Sequence, residues 1–184
     1  SWCPPERVYS RCLASEMRCH AQRGVIGLDE MVEIRRMQGG EANALGDVMW
    51  DAIHMGCRAY TAAQRHAWLP APPHGVKWAD KLAVQRVWVA VEMNAPVGFL
   101  TLADAGYIDL GFVRAAHHGR GVFTALLRAL EDDARGARMR RLWTHASLTA
   151  QPAFAARGFH VIAHETVQRA GETLARAKME KVLT

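Results

Sequence analysis

The chain has 184 residues, half of them hydrophobic and 22% charged, with a net charge of +5. That is one domain's length, enough to bury a single core and too apolar for a disordered chain. No apolar run approaches the roughly 20 residues of a membrane span, and the first thirty residues lack the apolar core of a secretory signal, so a soluble cytoplasmic protein without a membrane partner is expected.

Residues 1–30, with Pro4-Pro5, three of the four cysteines and no clean periodicity, read as an N-terminal extension of unassigned role, and the compact domain as 31–184. A strand-like run, Met31 to Met37, ends at Gly39-Gly40. Leu45, Val48, Met49, Ala52, Ile53 and Gly56 then recur at helical spacing. Thr61 to Gln64 reads as a capping box opening a second helix that Pro70 stops, and a third helical piece is expected near Trp78 to Val84. Arg86–Val91 and Val97–Leu102 predict a hairpin with Glu92 solvated in its turn.

A further strand runs from Tyr107 to Val113, followed by the turn His117 to Gly121 and a strong helix. Val122, Leu126, Leu130 and Ala134 form that helix's apolar stripe; Arg128–Asp132 and Glu131–Arg135 are expected pairs, with Gly136 as C-cap. Strands at Leu142–Ala146, Phe159–Thr166 and Leu174–Leu183 flank a short helix, Ala150–Arg157, closed by Gly158. The order predicts an α/β layer protein with a mixed sheet.

Cysteines at 3, 12, 19 and 57 match no zinc-ligand spacing, and His160 with His164 would sit roughly 13 Å apart in a strand, so no metal is expected. Positive charge concentrates in residues 114–141, where seven Arg face three acids. No nucleic-acid reader motif accompanies it, and a basic nucleic-acid domain is the least favoured reading.

The segment that points to chemistry is strand, then His118-Gly119-Arg120-Gly121-Val122-Phe123-Thr124, then helix. A helix N-terminus presents unpaired N–H groups and a positive dipole end, and small residues let an anion approach closely. This favours a phosphate or pyrophosphate, against the alternative of an ordinary glycine turn. Neither GxxxxGK[ST] nor the dinucleotide GxGxxG is present.

At these residues the sequence resembles the GNAT superfamily of acyl-CoA-dependent N-acetyltransferases. The family loop [Q/R]-x-x-G-x-[G/A] corresponds to His118, Gly121 and Phe123, departing at the first and last sites. Tyr107–Val113 looks like the family's fourth strand. The family's N-x-x-A-x-x-x-Y-x-x-x-G-F reads here as Ser147, Ala150, Phe154, Gly158 and Phe159, and the segments 59–68 and 166–183 resemble the YafP-type bacterial branch. The resemblance covers about residues 31–184.

It implies a three-layer α-β-α sandwich with a mixed, mostly antiparallel sheet of about seven strands, splayed between the fourth and fifth. It implies acetyl-CoA as co-substrate, held by Phe112, Val113, His118, Gly119, Arg120, Gly121, Val122, Phe123, Thr124, Ser147 and Phe154. An acetyl group would pass by direct attack to a primary amine of a small molecule or peptide; oligomeric state is not visible in the sequence, and a homodimer enters only by analogy with such folds. Direct attack needs a proton acceptor: Asp109 is the first candidate, then His117 and His118, with His145 read as structural. Where the family has a proton-donating Tyr this chain has Phe154, and Ser147 is a feeble acid. A weakly active or non-catalytic acyl-CoA-binding module is therefore the alternative.

Overall fold

A computed structural model describes residues 32–184; the expected N-terminal extension and the start of the first strand at Met31 lie outside them. The element order is β1 (Glu33–Arg36), α1 (Ala42–Asp51), α2 (Ala62–Trp68), α3 (Val76–Ala83), β2 (Arg86–Glu92), β3 (Ala95–Leu102), β4 (Tyr107–Ile108), β5 (Gly111–Val113), α4 (Val122–Gly136), β6 (Arg141–Ser147), α5 (Gln151–Ala155), β7 (His160–Arg169) and β8 (Glu172–Val182). Two four-stranded sheets result, ordered β1-β2-β3-β5 and β4-β6-β8-β7.

The expected strand 107–113 is divided. Tyr107 and Ile108 pair in parallel with Trp143 and Thr144 of one sheet, whereas Gly111–Val113 pair antiparallel with Gly98–Leu100 of the other. Thr101 makes the break: its N–H donates to Leu110 O, and its hydroxyl accepts from Leu110 N–H at 3.0 Å. This takes residues 109–110 out of either ladder and gives eight strands among the described residues, where about seven are expected.

Helices α1 and α3, with the turn that follows α1, cover one face of the first sheet, packing Leu45, Ile53 and Leu82 on Val89 and Phe99. Helix α4 covers the other face with the expected stripe, Val122, Leu126, Leu130 and Ala134, all buried against Leu100, Leu142 and Met179. These are the three layers. Asp133 ties α4 to the sheet edge, accepting from Arg36 and Arg86 at 2.7 Å each and from the Trp88 indole at 3.2 Å.

Local signals acted where sequence placed them, with four adjustments. The Thr61–Gln64 capping box is formed in both directions, while α1 ends at Asp51 and continues as a π-helical turn, Ala52–Gly56. The first hairpin turns on Met93 and Asn94 alone, both at positive φ, so Glu92 belongs to the strand. Asp132 is bonded to Arg135 rather than Arg128. Gly136 is the last helical residue rather than the cap, and Arg138 takes the left-handed conformation beyond it.

Candidate active site

Two cavities meet at the point where the strand 107–113 changes sheets. One, of about 520 Å³, is bounded by Val113, the loop from His117 and the first turn of α4. The other, of about 440 Å³, lies between α2, α3 and the strands β4, β6 and β8. Gly111, Phe112, Ser147 and Ala150 line both.

In the first cavity, Gly119 and Gly121 have φ of 73° and 81°, a conformation natural to glycine, and a β-carbon at either would meet open space. Gly121 is the N-cap of the 15-residue α4, with no acidic side chain in its first turn. Gly121 to Thr124 line the cavity, so free N–H groups and the positive dipole end face a roomy cradle that suits an anion. Phe123 takes the expected small-residue position without filling that cradle. Its ring sits edge-on to Phe154, 4.9 Å between centroids, and Phe154 is edge-on to Phe159 at 5.0 Å.

The loop is held from beneath. Glu92 is buried with 8% of its side chain exposed; one oxygen accepts from His117 Nε2 and the other from Arg120, both at 2.8 Å. Hydrogen bonding from His117, followed by that from Arg120, holds the Glu92 carboxyl below its ordinary range. The expectation of a solvated Glu92 is thereby corrected: the loop 115–121 folds over the hairpin end and shields it. His118 Nε2 donates to Val113 O at 2.8 Å, occupying one backbone group expected to serve a ligand. Arg120 is turned to Glu92 and is not among the cavity's lining residues, unlike His117 and His118.

In the second cavity the wall is aromatic, including Tyr60, Trp68, Trp78 and Tyr107. Tyr60 is buried, its hydroxyl donating to Ala175 O at 2.5 Å and accepting from Leu148 N–H at 2.9 Å; burial raises its pKa. Asp109 reaches this wall with its carboxylate bound to Lys81 at 3.0 Å and Gln85 at 3.1 Å. Ser147 lies at the junction itself, its hydroxyl accepting from Ala150 N–H at 3.2 Å. The three expected catalytic residues are thus distributed: Asp109 in one cavity, His117 in the other, Ser147 between.

Sequence reasoning read His145 only as a structural residue and assigned no role to Trp143 or the Tyr107 side chain. Trp143, His145 and Ser147 alternate along β6 and form its half-buried face, which brings His145 into the second cavity. Tyr107 also lines it, stacked on Trp143 at 4.2 Å. The period-2 alternation of residues 143–147 was the available signal.

Comparison with known proteins places the chain in a family and a fold. Residues 77–183 match the acetyltransferase (GNAT) domain family. An uncharacterized N-acetyltransferase, YafP, of Escherichia coli (strain K12) is 33% identical over 141 residues, 76% of this chain and 89% of the relative. A GCN5-related N-acetyltransferase from Rhodopseudomonas palustris superposes with a TM-score of 0.76 at 31% identity, over 82% of this chain and 95% of its own. The structure of yncA from Salmonella typhimurium with its cofactor acetyl-CoA shares the fold, with a TM-score of 0.58 and 21% identity over 83% and 94% of the two chains.

Proposed function

The chain belongs to the GNAT acetyltransferase family, and from that premise we propose that it transfers an acetyl group from acetyl-CoA to the primary amine of an acceptor by direct attack. The observation that carries this reading is the meeting of two cavities at Gly111, Phe112, Ser147 and Ala150. One is backed by a glycine loop at a helix N-terminus and suits a diphosphate; the other has aromatic walls and suits an amine with an apolar body.

Gly119 to Thr124 bind the diphosphate through the loop and helix end, and Phe112 with the remaining Val113 backbone group orients the arm that carries the acetyl group. Bound acetyl-CoA supplies a thioester carbonyl open to nucleophilic attack. A backbone N–H near Phe112 steadies the negative charge that develops on the carbonyl oxygen. Ser147 stands at the junction as a hydrogen-bonding group for the arm or the departing sulfur. His117, bound to Glu92, acts on the coenzyme side by setting the loop's shape. Asp109, bound to Lys81 and Gln85, shapes the acceptor wall.

A thermal-shift titration with acetyl-CoA beside adenosine diphosphate tests the coenzyme site, and thiol release across an amine panel tests turnover. At 100 times its dissociation constant, a ligand adds about 2.7 kcal/mol of stability. A melting temperature that rises with acetyl-CoA well beyond the control, together with amine-dependent thiol release, is expected. Binding without thiol release would leave the second reading, an acyl-CoA-binding module. Phe154 favours that reading, because it offers no proton to a leaving thiolate.

A further inference from the structure

Beyond the loop and junction, the acceptor cavity holds a chain of titratable side chains. The Tyr107 hydroxyl is 3.4 Å from His145 Nδ1, and His145 Nε2 is 3.5 Å from Glu165 of β7. Glu165 is gripped by Arg176 of β8 at 2.9 Å. Trp143 stacks on Tyr107 and stands edge-on to His145, at 4.2 and 5.6 Å, fixing both rings. The first two members line the cavity, and His145 shares its strand face with Ser147, two residues along and roughly 7 Å away.

We propose that Tyr107 and His145 form the proton relay that takes a proton from the acceptor amine, with Glu165 as the positioning residue that orients the imidazole. The relay rests on the acetyl-transfer reading. The other oxygen groups of this wall that could take a proton are engaged elsewhere: Asp109 is bound to Lys81 and Gln85, and the Tyr60 hydroxyl to Ala175 O. In the resting relay, Nε2–H faces the Glu165 carboxylate and Nδ1 accepts from the Tyr107 hydroxyl. The ammonium form of the acceptor gives one proton to the Tyr107 oxygen, directly or through a water, as the Tyr107 proton moves to Nδ1. The neutral nitrogen then forms the N–C bond, the C–S bond breaks with its electron pair on sulfur, and the second nitrogen proton ends on that sulfur. His145 leaves the cycle as imidazolium and returns its proton to solvent.

The charges around the ring are Tyr107 and Asp109 from the β4 side, Glu165 from β7, and Arg176 and Lys178 from β8. Burial, then Arg176, then Lys178 hold His145 below its ordinary value, with Glu165 opposing, so the ring is a neutral base at neutral pH. Tyr107 is raised, by burial first and then by Asp109, and holds its proton until one replaces it.

The test combines nuclear magnetic resonance titration of His145 in the coenzyme-free protein with pH profiles of kcat/KM. Lys178 lines neither cavity, so Lys178→Gln should raise the His145 titration midpoint and carry the acidic limb of the profile to higher pH by the same interval. His145→Gln and Tyr107→Phe should each lower kcat/KM about a hundredfold while the acetyl-CoA thermal shift stays as in the wild type, and added imidazole should rescue a His145→Ala variant. The relay is overturned if the acidic limb ignores the His145 midpoint, or if both variants keep wild-type rates. Wild-type protein that binds acetyl-CoA but acetylates no amine overturns the acetyl-transfer reading, and the relay with it.

Discussion

Gly56 leaves no room for a side chain opposite His118: a β-carbon there would stand 2.6 Å from the imidazole Cε1. The π-helical turn after α1 thus packs backbone against the ring whose Nε2 holds Val113 O. Gly56→Ala must push the imidazole aside or bend the turn. We expect about 1–3 kcal/mol of destabilisation and weaker acetyl-CoA binding. In Gly56→Ala/His118→Ala the clash is gone, so its loss should fall short of the sum of the single losses in a denaturation cycle. Additivity would show that the two residues do not bear on each other.

Glu92 acts from below the loop on His117 and Arg120 together. Glu92→Gln keeps the shape and removes the charge, and should raise the acetyl-CoA dissociation constant by about tenfold, as read by calorimetry. Its lowered carboxyl pKa also gives a pH signature. The stability from this group is fully present above the ordinary carboxylate value, about 4.3, and is lost as pH falls through the lower folded value. The wild-type melting temperature should decline in that acid window more steeply than that of Glu92→Gln. Parallel curves would remove Glu92 from the account.

Phe154 is buried between Phe123 and Phe159 and lines the second cavity, while its neighbour Phe123 lines the first. Phe154→Tyr adds a hydroxyl at the position where the family carries its proton donor. It should raise kcat and leave the KM for acetyl-CoA near its wild-type value, measured by initial rates of thiol release. An unchanged kcat would mean that sulfur leaves without assistance from this position. Phe154→Ala, by contrast, opens the aromatic cluster and should cost about 3–5 kcal/mol of stability.

Asp133 provides a remote control. Its carboxylate joins Arg36, Arg86 and Trp88 of β1 and β2, and none of the four lines either cavity. Asp133→Ala strands three donors and should cost about 1–3 kcal/mol without altering acetyl-CoA affinity at a temperature where the variant is folded. An affinity change there would show that α4 transmits strain to its own N-terminus.

Elements fixed by neighbours in sequence were legible: the Val122–Ala134 stripe, the Thr61–Gln64 box and both hairpins carry their instructions within a few residues. The glycine turn into α4 was legible for the same reason, since glycines at 119 and 121 are needed locally. What sequence hid depends on distant partners. The division of strand 107–113 comes from the Thr101 hydroxyl, and the burial of Glu92 from a loop 25 residues away. His145 reads as one polar residue in a strand until β7 and β8 bring Glu165, Arg176 and Lys178 around it.

The seam between the two sheets also bears on how the chain folds. Each sheet contains a hairpin closed by a two-residue turn, Met93-Asn94 and Ala170-Gly171, whose contacts are local and form early. The strand 107–113, which passes from one sheet to the other, is held to the second sheet by only the pairs Tyr107–Trp143 and Ile108–Thr144, bridged by more than thirty intervening residues. Closing that loop is the entropically expensive step. Destabilising changes inside the hairpins should therefore slow refolding, and changes at the seam should mainly hasten unfolding. Refolding followed by probes in each hairpin and at the seam should then show the two halves forming first and the junction of the two cavities last.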